Sequence, residues 1–169
     1  MISKENNFAF IDSQNLNLGV KRLGWDLDFK KFRIYLKEKY SVNRAYVFIG
    51  FMEENNLLYR SLQKDGYILS FKPVVLDDKG KPKGNIDADL VMQTMVDFHE
   101  NQFDKAVIIT SDGDFYSLVK FLYEKSKLRM VISPYVKTCS YLLRKSAKER
   151  IVFINNLKDK LEYKRKSTA

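Results

Sequence analysis

Residues 106–118, AVIITSDGDFYSL, decide the fold. A short run of small and β-branched apolar residues ends in a tight turn that carries Asp112 and Asp114 around Gly113, and a helical pattern follows. An apolar run of this kind reads as a strand buried on both faces, the signature of a parallel sheet. Such a strand delivers both acids to one edge of the sheet.

Working outward, the same alternation recurs along the chain. Apolar runs at 8–11, 45–51, 67–76 and 128–133, with a shorter one at 151–154, read as further strands. Lys72 and Pro73 place the third strand nearer an edge. Helical spacing begins at Asp28 and recurs over 53–65, 86–99, 115–125 and 140–148. Residues 13–24, rich in Ser, Asn, Gln and Gly, read as a polar loop. Residues 77–85, DDKGKPKGN, read as a mobile basic loop. Alternation through the whole length predicts an α/β fold: a mostly parallel sheet of five to six strands with helices on both faces, a three-layer sandwich. Ligands in such sheets bind outside the carboxyl ends of the strands, which is where Asp12 and Asp112 fall.

The 169 residues, 45% hydrophobic, suit one domain, drawn here as 1–157, with a basic tail over 158–169. The net charge of +9 favours an anionic partner such as nucleic acid or a membrane surface. With one cysteine, Cys139, there is no internal disulfide, and with one histidine, His99, no Cys/His zinc set. The composition suits a reducing cytoplasm. No apolar stretch approaches the roughly 18 residues that span a bilayer, so neither secretion nor membrane insertion is expected. No glycine-rich phosphate loop of the Walker or dinucleotide type is present.

The acids carry the chemistry. Asp12 follows the first strand, Asp87 and Asp89 head the helix at 86–99, and Asp112 and Asp114 follow the strand at 106–110. Each acid alone has a structural explanation as a cap or turn former. A cap needs one carboxylate, however, so the second acid of each pair is surplus to folding. Asp87 lies on the apolar stripe of its helix, where a carboxylate costs several kcal/mol unless it is paired or bound to a cation. Asp89 lies about 200° further round, so the two share one site only if Asp87 precedes the first turn. Magnesium or manganese is satisfied by two to four carboxylates from separate loops, and would activate a water and stabilise charge on a phosphodiester. Lys79, Lys81 and Lys83 precede these acids and supply positive charge for a phosphate backbone. Trp25, beside Gly24, is the candidate base-stacking residue.

Three runs also resemble a known family. FIDSQNL at 10–16, KGNIDADLVMQTM at 83–95 and ITSDGDF at 109–115 resemble the three signature blocks of NYN domains, in the LabA-like branch of the PIN-like nucleases, over residues 7–155. The resemblance implies a Rossmann-like sheet, an aspartate-held Mg²⁺ or Mn²⁺, and ribonuclease activity on single-stranded or structured RNA. It implies Asp12 as a metal ligand with Asn15 as its companion, Asp87 as the acid at the helix head, Asp112 and Asp114 as the acids after the fourth strand, and Ser111 lining the site. Many members carry an acid where this chain has Gln93. That departure leaves two options, that Asp89 compensates or that the metal is held more weakly. It also supports a rival reading, an RNA-binding or regulatory module with little turnover. A third reading is a metal-dependent phosphatase or glycosyl transferase that uses the acids at 87 and 89. The oligomeric state is open, a homodimer included.

Overall fold

The structure is a computed structural model that describes residues 4–83 and 86–166. Six strands form one parallel sheet: β1 (Asn7–Asp12), β2 (Val42–Phe51), β3 (Tyr67–Pro73), β6 (Ala106–Ile109), β7 (Leu128–Ser133) and β8 (Ile151–Phe153). Their order is β3-β2-β1-β6-β7-β8. The chain starts in the middle at β1, builds outward through β2 and β3, then returns to lay β6 on the other side of β1. The strand order therefore reverses between β1 and β6, and the crevice at such a switch point is where α/β sheets bind ligands.

Period-two alternation assigns the strand residues to two cores. Ala9, Ile11, Ala45, Val47, Val107 and Ile109 face one side, packed with α1 (Ser13–Arg22), α2 (Phe29–Tyr40) and α7 (Lys158–Leu161). Phe8, Phe10, Tyr46, Phe48 and Ile108 face the other, under α4 (Asp87–His99), α5 (Tyr116–Glu124) and α6 (Tyr141–Ala147). The three-layer α/β sandwich expected from the alternation is the fold observed. β3 is an edge strand, as Lys72 and Pro73 suggested. No helix among the described residues is long and apolar enough to cross a membrane.

Two expectations are corrected. Residues 13–24 are not a loop throughout: α1 occupies Ser13–Arg22. Its apolar residues are few, but Leu16 and Val20, one turn apart, bury against the sheet, and Gly19 lets the helix approach Pro134 so closely that a Cβ there would collide. Tertiary packing overrides the weak helix propensity of its Ser and Asn residues. The run at 67–76 is split. β3 ends at Pro73, while β4 (Val75–Leu76) pairs with β5 (Pro82–Lys83) in a small antiparallel hairpin that occupies much of the expected loop. Past residue 157 the chain begins with the short helix α7. Leu161 is fully buried, Leu27 bridges Glu162, and the Tyr163 N–H donates to the Asp26 carbonyl. Between 53 and 65, a 3₁₀ turn at Glu53–Asn55 leads into α3 (Asn56–Lys64).

Candidate metal centre

Three segments bring one carboxylate each to the switch point. Asp12 ends β1 and is buried, 4% exposed. Its Oδ1 caps α1 by accepting from the Asn15 N–H at 3.2 Å, and its Oδ2 accepts from the Thr110 hydroxyl at 3.1 Å. The same Thr110 oxygen accepts from the Asp112 N–H at 3.1 Å. Thr110 thus fixes the β1 acid and the β6 acid against each other. Asp112 in turn caps the 3₁₀ turn Gly113–Phe115, its Oδ1 accepting from the Asp114 N–H at 2.9 Å. Gly113 lies so close to the Ser140 side chain that any Cβ there would collide with it. Asp87 opens α4, whose buried Leu90 anchors the helix on the core.

One oxygen from each of Asp12, Asp87 and Asp112 lies within 4.8 Å of the other two. These acids line a pocket of about 290 Å³ with Gln14, Asn15, Leu18 and Ile86. Capping and convergence are therefore both true of Asp12 and Asp112, and each carboxylate keeps lone pairs beyond those used in its cap. The electrostatics follow from burial among like charges. Burial raises the Asp12 carboxyl above its ordinary range, against the Asn15 and Thr110 hydrogen bonds that lower it, and the Asp112 charge raises it further. Asp87 is pushed up to about 6 by burial and by the charges of Asp12, Asp112 and Asp114, partly offset by Lys72.

This donor set fits a hard divalent cation. Octahedral Mg²⁺ or Mn²⁺ holds oxygens roughly 3 Å apart at adjacent corners and about 4 Å at opposite ones, so the three carboxylates need only a small inward rotation.

The other expected site residues are distributed unevenly. Asn15 lines the pocket, and its Oδ1 accepts from the Ser111 N–H at 2.7 Å, joining α1 to the loop after β6. Ser111 is buried and its hydroxyl meets that of Ser133 at 2.7 Å, so it braces the loop and has little exposed surface for RNA. Asp114 is exposed and outside the three-oxygen cluster, although its charge reaches Asp87. Asp89 is exposed and lies outside the cluster too, as the rotation between helix positions 87 and 89 requires. Gln93 points along its own helix, donating from Nε2 to Asp97 Oδ1 at 3.0 Å. Lys79 and Lys81 are exposed on the turn of the small hairpin, and the side chain of Lys83 lies outside the described residues. Trp25 is half-buried against the core beneath α1 and α2 and does not line the acidic pocket. Two further residues carry no functional signal of their own in the sequence: Thr110, whose role depends on two partners in different segments, and Lys72, which reads only as an edge-strand residue.

The profile of the NYN domain matches residues 8–155. The chain belongs to the NYN domain family. In this NYN domain the switch-point acids are the ones its signature blocks carry, and membership in a PIN-like nuclease family supports a nuclease-type function. A crystal structure of VPA0982 from Vibrio parahaemolyticus, a protein of unknown function, has a similar fold. The TM-score is 0.77 at 20% identity, over 95% of this chain and 98% of that one. No curated protein matches the chain.

Proposed function

We propose that this NYN domain, with its likeness to the LabA-like branch, is a metal-dependent ribonuclease. The observation that carries the reading is the convergence of Asp12, Asp87 and Asp112 oxygens from three separate segments at the switch point. Those three residues hold a Mg²⁺ or Mn²⁺ ion. When bound, such an ion supplies Lewis-acid polarisation of a phosphodiester and lowers the pKa of a water. The chain's own residues do the rest. Thr110 keeps Asp12 and Asp112 in register, and Asn15, which lines the pocket, holds the β6 loop against α1. Asp114, one turn out, adds negative charge that draws a second cation or orients water. Lys72 provides a cation beside Asp87, where a backbone phosphate would otherwise meet only acids.

The test is cleavage of end-labelled single-stranded and hairpin RNA in Mn²⁺, Mg²⁺ and EDTA. Products in Mn²⁺ that disappear both in EDTA and in the Asp12→Asn/Asp112→Asn variant are expected. Products formed equally in EDTA would reject the reading. One observation favours a second reading, a regulatory RNA binder with little turnover. Gln93 stands where many members have an acid, and it is spent on Asp97. That reading predicts salt-sensitive RNA binding without products.

A further inference from the structure

The acidic pocket does not stand alone. A second cavity, of about 340 Å³, shares Gln14, Leu18 and Ile86 with it, so the two form one continuous depression. The second cavity lies at the carboxyl ends of β2 and β3, between α1 and the start of α3. Its chemistry differs from that of the first. Ile49, Leu58 and Pro73 make its walls mainly apolar, and Met52 and Leu58 remain 41% and 37% exposed there.

Three primary amides, Gln14, Asn17 and Asn55, stand in this cavity. Each offers a donor pair and an acceptor, the groups that pair with the edge of an unstacked base. Lys72 lines the same cavity and gives it a cation. Carboxylates line one pocket, and amides over apolar walls, with Lys72, line the one that adjoins it. A nucleotide likewise presents a phosphate and a base at adjoining positions. At about 340 Å³ the cavity is also near the small end of ligand pockets, roughly 300–1,000 Å³, a size for one nucleotide and not for a duplex.

We infer that this cavity is a nucleobase subsite, taking one unpaired base adjacent to the phosphate held at the acidic cluster. The position of that phosphate rests on the proposed ribonuclease reading; the base recognition does not. The substrate is then single-stranded at this position, and binding discriminates among bases there.

Fluorescein-labelled hexamers of A, C, G and U, titrated with the full chain in EDTA so that no turnover occurs, measure the discrimination by anisotropy. One homopolymer is expected to bind at least about tenfold more tightly than the weakest. Asn17→Ala/Asn55→Ala should shrink that ratio to about threefold or less, and Leu58→Trp, which fills the cavity, should weaken all four; thermal melting verifies the fold of each variant. Equal binding of the four hexamers by the wild type overturns the subsite. So does an undiminished ratio in a natively melting Asn17→Ala/Asn55→Ala variant. Failure of the nuclease reading looks different: wild type in Mn²⁺ hydrolyses neither RNA nor bis(p-nitrophenyl) phosphate, while base-dependent binding persists and upholds the subsite.

Discussion

Helix α4 carries a carboxylate near each end, and the two have different surroundings. Near the carboxyl end, Asp97 is 3% exposed, and burial raises its pKa. The groups set against that rise belong to the protein: the Gln93 amide, the Arg44 charge and the Tyr46 hydroxyl. Tyr46 stands outside hydrogen-bond geometry, since Asp97 Oδ2 has no partner within it. At the amino end, Asp87 meets burial reinforced by three other acids, with Lys72 as the opposing charge. At Asp97 protein groups oppose the effect of burial, whereas at Asp87 neighbouring acids reinforce it. Like charges gathered from three segments at one end of a helix mark that end as the candidate functional one.

The largest expected effect is on turnover. Asp12→Asn or Asp112→Asn should lower Mn²⁺-dependent RNA cleavage by several kcal/mol of barrier, roughly a hundredfold or more, with the melting curve retained. A smaller effect, opposite in sign at the two ends of α4, concerns stability without metal. Asp87→Asn removes a charge crowded by acids and should stabilise the cation-free protein by about 1 kcal/mol, discounted because Asp87 is partly solvated. Arg44→Met removes the cation that offsets Asp97 and should destabilise by about 1–2 kcal/mol. Denaturant melts in EDTA measure both. Equal signs would erase the contrast between the two ends.

The pH dependence sharpens the same contrast. Asp12 and Asp87 bind protons more tightly in the folded chain than in the unfolded one. Well below the ordinary carboxylate pKa of about 4 both states are protonated, and nothing is lost. As pH rises from about 4 through the Asp87 value of about 6, folding must accommodate charges that the unfolded chain carries freely. Cation-free stability therefore falls across that window. Mn²⁺ favours the ionised carboxylates, so its stabilisation, a few degrees in Tm, should be larger at about pH 7.5 than at about pH 5. Scanning calorimetry at the two pH values checks this, and a metal-induced shift that is larger at the lower pH would contradict it. The smallest effect is expected at Lys72. Lys72→Ala should weaken RNA binding several-fold and reduce the salt slope by about one, as loss of a single phosphate contact does.

Much of this was legible in the residues. Strand alternation carried the sheet and both faces because the central strands, β1 and β6 above all, are buried on two sides and read as continuous apolar runs. Asp12, Asp87 and Asp112 were legible because each sits where its segment leaves a strand or enters a helix, and a parallel sheet gathers those points at one edge. The angular arithmetic also separated Asp89 from Asp87. What stayed hidden depends on partners distant in sequence. α1 is helical because Leu16, Gly19 and Val20 find the sheet and Pro134, which the run SQNLNLG does not announce. Thr110 looked like the last residue of a strand, and only the adjacency of β1 and β6 makes it a link between Asp12 and Asp112. Ser111, expected to line the site, is buried, and Trp25, the base-stacking candidate, is half-buried.

The central claim is that Asp12, Asp87 and Asp112 together hold a divalent cation. Isothermal titration of the wild type with Mn²⁺ at about pH 7.5 tests it most directly, beside the Asp12→Asn/Asp112→Asn variant under the same conditions. Saturable binding by the wild type, abolished in a variant that melts natively, is the result this structure predicts. Mn²⁺ binding of the same affinity and stoichiometry in both proteins would contradict it.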